Sequence, residues 1–191
     1  RACEGIDDVD ALEVVYNARI KLYDGVKTQE IDEALIKSAR GLIEQEPAYR
    51  FVAAGLLRGT LYKEVFGENA DSDAFEFQYR RTFIVNLKKL IKAKIVSREI
   101  SKFDLKELSN RLKIDRDHKF AYLGLQTLYD RYLMHIDDKK METPQAFWMR
   151  VAMGLAIKEN VEDKTKWAIK FYDVLSNFDF MSSTPTLFNS G

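Results

Sequence analysis

Apolar side chains recur every three to four residues along most of this 191-residue chain, and that spacing is typical of amphipathic helices. Only three prolines and nine glycines interrupt the pattern, so long helices are favoured over an architecture of strands and turns. The chain is therefore predicted to be mainly α.

The periodicity places helices at 8–22, 28–45, 48–66, 75–91, 105–112, 121–131, 144–155 and 164–178. Thr28 is predicted to cap the second helix, because a threonine before a turn that contains carboxylates suits a helix N-terminus. Pro144 suits the first position of a helix. Between 132 and 142 the pattern shortens to a period of two, which predicts a small β-hairpin. Residues 68–73 are polar and are expected to form a connection.

Three details of these helices are specific enough to be checked. The first helix is expected to turn Val9, Leu12, Val15, Ala18 and Leu22 inward. The last helix is expected to bury Trp167 with its apolar neighbours. The Ser182–Thr186 segment is expected to leave the helical pattern altogether.

Composition excludes several classes of protein. The formal net charge is zero, so no overall charge favours nucleic acid or an acidic membrane surface. No run of 18 or more apolar residues indicates a membrane span. Cys3 is the single cysteine, which excludes an internal disulfide framework and a thiolate metal site. The usual phosphate-loop, dinucleotide, zinc-protease, dithiol and serine-hydrolase motifs do not occur.

The segment from Arg80 to Arg98 contains basic residues and no acidic residue. One interpretation is a nucleic-acid-binding surface. However, Phe83, Leu87 and Leu90 fall on the inward side of the same helix, which favours a solvated charged face. A helical interaction module without enzymatic activity, or a nucleic-acid binder that uses this run, is the alternative function.

Two further clusters carry polar chemistry. Asp115, Asp117 and His118 contain metal-ligand side chains, but a salt-bridged turn is the favoured interpretation and no metal site is predicted. Ser182–Thr186 groups hydroxyls around Pro185, and several hydroxyl donors on a fixed backbone suit an anion such as phosphate. From the residues alone, the chain is a helical protein with a candidate anion loop near residue 184.

Three stretches, 125–132, 142–156 and 183–191, contain the sequences LQTLYDRY, ETPQAFWMRVAMGLA and STPTLFNSG. In this order and spacing they resemble the large (catalytic, alpha) subunit of class I ribonucleotide reductase. The resemblance extends back through 23–28 and 47–54.

The resemblance implies a parent enzyme, a ribonucleoside-diphosphate reductase, that makes deoxyribonucleotides for DNA synthesis by cysteine radical chemistry. It divides the chain into the C-terminal helical part of an ATP-cone (1–67, degenerate or incomplete), a helical domain (68–181) and the start of the catalytic barrel (182–191). Cys3 matches none of the family's catalytic cysteines, so this piece alone is expected to be inactive. Because the sequence begins with Arg1 rather than Met, a piece of a longer protein is expected.

Two sets of site residues follow from the resemblance. Thr28, Asp32 and Lys63 correspond to residues of an ATP-cone that contact nucleotide, although Gly55 stands where many relatives have arginine. Thr184 corresponds to a residue that contacts the substrate nucleotide, and Ser183 lies beside it. No catalytic residue and no metal ligand is expected.

The resemblance also implies the partners. The piece itself is expected to bind no cofactor, whereas the whole enzyme uses ATP and deoxynucleotide effectors and a radical-generating small (beta) subunit. Expected partners are the rest of the large subunit, a second large subunit, the small subunit and nucleotides, but neither DNA nor a membrane. A cytoplasmic location is expected.

Overall fold

The structure, a computed structural model, describes residues 2–19, 23–67 and 74–191, and more than half of these residues are helical. Nine α-helices occur in this described part: α1 (Ala11–Arg19), α2 (Thr28–Gly41), α3 (Tyr49–Phe66), α4 (Phe75–Lys92), α5 (Leu105–Arg111), α6 (Tyr122–Arg131), α7 (Pro144–Leu155), α8 (Lys164–Ser176) and α9 (Thr184–Asn189). Two 3-10 helices cover Arg98–Lys102 and Ile114–Lys119.

The predicted hairpin is present. Strands β1 (His135–Ile136) and β2 (Lys139–Lys140) pair antiparallel, with His135 opposite Lys140 and Ile136 opposite Lys139. The mainly helical fold class is therefore confirmed, together with its small two-stranded sheet. None of the helices in the described ranges is both long and apolar enough to cross a membrane.

The chain forms two compact units. The first contains Arg1–Leu61 and His118–Asp130, and the second contains Tyr62–Asp117 and Arg131–Gly191. The predicted division into domains at residues 67 and 181 stays a prediction.

The first unit contains α1, α2 and the part of α3 up to Leu61; the rest of α3, from Tyr62, belongs to the second unit. Val14, Ala39, Leu42 and Val52 are buried together in its core. The Ser38 hydroxyl donates a hydrogen bond to the Val14 carbonyl oxygen (2.7 Å), which ties α2 to α1. Small and branched side chains thus let the helices approach closely.

The predicted inward stripe of the first helix is right for Ala18 and wrong for Leu12 and Val15. Helix α1 buries Val14 and Ala18, whereas Leu12 is 76% exposed and Val15 is 53% exposed. The helix has apolar residues on more than one face, so periodicity did not select the face that packs against α2. Leu22 and the predicted end of this helix lie outside the described residues.

In the second unit, α7 is the central element. Every residue from Pro144 to Met153 is buried, which means that this helix is covered on all sides. Helix α8 packs against it. From α4, Tyr79, Phe83 and Leu87 are buried, as their spacing predicts.

The predicted burial of Trp167 is also wrong. Its side chain is 38% exposed, and its ring stacks on Phe171 with 5.8 Å between ring centroids. The Lys170 ammonium lies 4.4 Å from the indole centroid. The ring is amphipathic enough to lie at the surface of α8 when a cation covers it.

Two further predictions, the capping role of Thr28 and the non-helical Ser182–Thr186 segment, differ from the structure. Thr28 is the first residue of α2 rather than its cap, and Glu30 accepts a hydrogen bond from the Lys27 N–H (3.0 Å) at that end. Residues 184–189 form helix α9, with Ser183 as N-cap, although a non-helical segment was expected. A proline in the first turn suits a helix start, so the sequence did contain this signal.

Candidate functional site

Ser183 and Thr184 lie at the start of α9 with exposed side chains. The neighbouring Ser182 and Leu187 are buried and anchor the segment on either side. The Thr184 Oγ1 atom lies 3.2 Å from Oη of Tyr132. The two hydroxyl residues singled out in the sequence therefore lie at the surface of the second unit, and buried residues beneath them hold the segment in place.

Arg150 on α7 is the main buried residue that supports this segment. Its side chain is fully buried, and its Nε and Nη2 donate to the two carboxylate oxygens of Glu142 at 2.6 Å and 3.2 Å. Its Nη1 donates to the Ser190 carbonyl oxygen at 2.6 Å. Glu142 also accepts from the Met134 N–H at 2.9 Å. A buried ion pair is tolerated only with such additional bonds, and here they join the hairpin region and the end of α9 to α7.

Gly154 brings the end of α9 directly onto α7. A Cβ atom built at Gly154 would overlap the Gly191 nitrogen and lie 2.6 Å from the Ser190 carbonyl carbon. No side chain fits in this space. Together with Arg150, this close approach fixes the chain that follows Thr184.

Tyr132 forms the wall beside the hydroxyls. Its ring centroid lies 4.8 Å from that of Phe188 on α9 and 6.2 Å from that of Phe147 on α7. The half-buried phenol thus packs against two aromatic rings and places its oxygen beside the Thr184 hydroxyl.

A second polar cluster, which the sequence did not reveal, surrounds Asp117. The Asp117 carboxylate has no exposed surface and accepts hydrogen bonds from Tyr62 (2.6 Å), Tyr79 (2.7 Å) and the Gln145 amide (2.9 Å). Gln145 in turn accepts from the Tyr172 hydroxyl at 2.6 Å. Directly bonded partners in this cluster are up to 55 positions apart, so no local motif marks them.

Burial changes the acidity of this cluster. The pKa of Tyr79 is raised well above its ordinary value, first by burial and then by the negative charge of Asp117. Burial likewise raises the pKa of Tyr172. Both phenols therefore stay protonated at neutral pH and act as hydrogen-bond donors. The cluster joins α3, α4, α7 and α8 and is structural in character.

The residues around His118 do not form a metal site. Within 2–19, 23–67 and 74–191, no group of three or more His, Cys, Asp or Glu side chains is arranged to hold a metal ion. The segment is a 3-10 helix, and Arg116 forms an ion pair at 3.1 Å with Asp173 on α8. His118 Nδ1 accepts a hydrogen bond from Arg58 at 3.0 Å.

The residues predicted to contact an effector nucleotide lie in two units. Thr28 is exposed at the start of α2, and Asp32 lies one turn later on the same helix, half-buried. Lys63 is exposed on α3 in the part assigned to the second unit. Their joint role as a nucleotide site stays a prediction.

The basic run fits a solvated face. Arg81, Lys88, Lys89 and Lys92 on α4 are exposed while the opposite side of the helix is buried. Arg80 is engaged within the protein, because it donates to the Ser109 carbonyl oxygen at 2.6 Å.

The sequence matches known proteins along its whole length. Residues 118–191 match the family described as "Ribonucleotide reductase, all-alpha domain". The chain is 44% identical to ribonucleoside-diphosphate reductase subunit alpha of Chlamydia muridarum over all of its length, covering 18% of that protein. It is 36% identical to the corresponding subunit of Helicobacter pylori over 99% of its length, covering 23% of that protein.

A eukaryotic relative shows the same relation. The ribonucleoside-diphosphate reductase large chain of Schizosaccharomyces pombe is 32% identical over the whole chain, which covers 23% of it. The chain thus spans about a fifth of the length of these relatives. Both Arg150 and Thr184 lie inside the matched all-alpha domain. The chain is therefore homologous to the N-terminal region of the ribonucleotide reductase large subunit, alpha, and residues 118–191 carry the all-alpha domain of that family.

Proposed function

We propose that this chain is the N-terminal region of a class I ribonucleoside-diphosphate reductase and that Ser183 and Thr184 form one edge of its substrate site. The similarity to reductase alpha subunits over the full chain supports the parent activity. The observation that carries the site is the exposed Thr184 hydroxyl on a helix whose far end is held by Arg150 and Gly154.

Side-chain hydroxyls supply most of the binding at this edge. Pro185 has no N–H, and the Thr186 N–H donates to the Ser183 carbonyl oxygen at 3.0 Å. Few backbone donors therefore remain in this turn. The Thr184 hydroxyl donates to an oxygen of the nucleotide's phosphate or sugar, and the Ser183 hydroxyl lies beside it as a second donor.

The reduction itself requires residues beyond this chain. A radical mechanism needs one cysteine that forms a thiyl radical and a dithiol that supplies electrons, whereas Cys3 is the single cysteine here. We expect the 191-residue chain alone to turn over no nucleoside diphosphate. In the proposed parent, the catalytic barrel follows this region, a small beta subunit generates the radical, large subunits pair, and ATP and deoxynucleotides act as effectors in the cytoplasm.

The experiment is made in the full-length reductase that contains this chain. Thr184→Val keeps the shape of the side chain and removes the hydroxyl. One lost hydrogen bond to a charged group is worth roughly 1.5–3 kcal/mol, so kcat/KM is expected to fall about ten- to a hundredfold with Tm unchanged. Thr184→Ser is expected to restore most of the activity, because it returns the hydroxyl.

The control is Thr127→Val on α6, where the threonine hydroxyl donates to the Leu123 carbonyl oxygen within its own helix (2.8 Å). This variant is expected to leave kcat/KM unchanged. An unchanged kcat/KM with a lowered Tm for Thr184→Val would mean that the hydroxyl only supports the turn, and it would remove Thr184 from the substrate site.

A further inference from the structure

The hydrogen bond between Tyr132 and Thr184 joins two hydroxyls that are 52 residues apart in the sequence. We propose that Tyr132 is a positioning residue: it donates its phenolic proton to Thr184 Oγ1 and so directs the Thr184 proton toward the substrate. This inference rests on the proposed role of Thr184 and adds the residue that decides in which direction the Thr184 hydroxyl donates its hydrogen bond.

The direction of the hydrogen bond follows from chemistry. The two oxygens are 3.2 Å apart, and either of them has a proton to donate. A phenol is far more acidic than an aliphatic alcohol and is therefore the better hydrogen-bond donor. Because threonine has a single O–H, accepting from Tyr132 leaves that proton for another partner. The resulting site offers a donor, which suits the oxygens of an ionised phosphate because these only accept.

The ring of Tyr132 is held by the same helix that carries Thr184. Phe188 follows Thr184 by four residues, so both lie on one side of α9. The centroid of the Phe188 ring lies 4.8 Å from that of the Tyr132 ring. The ring of Phe147, on α7, lies 6.2 Å from the Tyr132 ring. Ring packing thus fixes the position of the phenolic oxygen independently of its hydrogen bond. Tyr132→Phe removes the hydroxyl and keeps these ring contacts.

The competing explanation is purely structural. If the hydrogen bond only fastened the first turn of α9, its loss would lower Tm and leave substrate kinetics unchanged. Positioning has a different signature, because a freely rotating Thr184 hydroxyl would still bind substrate but less often in the right orientation. Removing the Tyr132 hydroxyl would then raise mainly KM, and it would have this effect only while Thr184 is present.

A double-mutant cycle in the full-length reductase tests the inference, with Tyr132→Phe, Thr184→Val and the double variant. Tyr132→Phe is expected to lower kcat/KM about fivefold, mainly through KM, because one neutral hydrogen bond is lost. In the Thr184→Val background, the same change is expected to have no effect, since the two residues act as one unit. Tyr16→Phe, at a tyrosine that is 68% exposed in the first unit, is the matched control and is expected to leave kinetics unchanged.

The outcomes separate the inference from the function on which it rests. If Thr184→Val leaves kcat/KM unchanged, the proposed substrate edge is wrong and the inference falls with it. If Thr184→Val lowers kcat/KM but Tyr132→Phe has no effect, or has the same effect in both backgrounds, Thr184 keeps its role and the positioning by Tyr132 is overturned.

Discussion

At the residue scale, Asp117 illustrates how one side chain can hold several helices together. Its carboxylate is completely buried and accepts hydrogen bonds from Tyr62, Tyr79 and Gln145, on helices α3, α4 and α7. A buried carboxylate is stable only where such donors replace water. The donors in turn depend on Asp117, because buried phenols without an acceptor are costly.

Asp117→Ala is expected to lower the free energy of unfolding by about 3 kcal/mol, since it leaves at least two buried donors unsatisfied. The measurement is urea unfolding followed by circular dichroism. Asp115→Ala, on the same 3-10 helix but exposed, is the control and should change stability by less than about 0.5 kcal/mol. Equal effects of the two substitutions would show that the Asp117 cluster contributes little to stability.

At the scale of elements, the contact between α7 and the end of α9 depends on a missing side chain. Gly154 lies in the last turns of α7, where the chain at Ser190 and Gly191 passes too close for a Cβ atom. Glycine in a helix costs roughly 1 kcal/mol relative to alanine. The close approach is the physical reason for accepting that cost.

Gly154→Ala is therefore expected to destabilise the protein by about 1–3 kcal/mol, because the new methyl group displaces the end of α9. Gly59→Ala provides a matched control inside α3, where a Cβ atom meets nothing within 4 Å. That substitution is expected to raise stability by about 0.5–1 kcal/mol through helix propensity. Thermal unfolding of both variants checks the pair, and shifts of the same sign would contradict the role assigned to Gly154.

At the scale of the whole molecule, the predicted effector residues offer little charge for a triphosphate. Lys63 is a single cation, Thr28 supplies one hydroxyl, and Asp32 is a carboxylate. We expect ATP and dATP to bind the 191-residue chain weakly or not at all, with Kd values above about 100 μM by calorimetry. Binding of dATP with a micromolar Kd, about −8 kcal/mol, that Lys63→Ala abolishes would overturn this expectation and indicate a complete site.

Prediction from sequence succeeded where local pattern and packing agree. On helix α4, Tyr79, Phe83 and Leu87 recur at helical spacing, and their burial followed from that spacing. The hairpin followed from the change of period near residue 136. In α1, where apolar residues cover more than one side, the spacing chose Leu12 although the structure buries Val14.

The sequence by itself determined the succession of helices and hairpin and the relation to the reductase large subunit, because periodicity and motif order are local properties of the chain. Only the tertiary structure decided that Tyr132 reaches the Thr184 hydroxyl and that Asp117 joins separate helices. Each of these depends on hydrogen bonds between residues distant in sequence. Such bonds form only after burial has brought the helices together, so no local pattern encodes them.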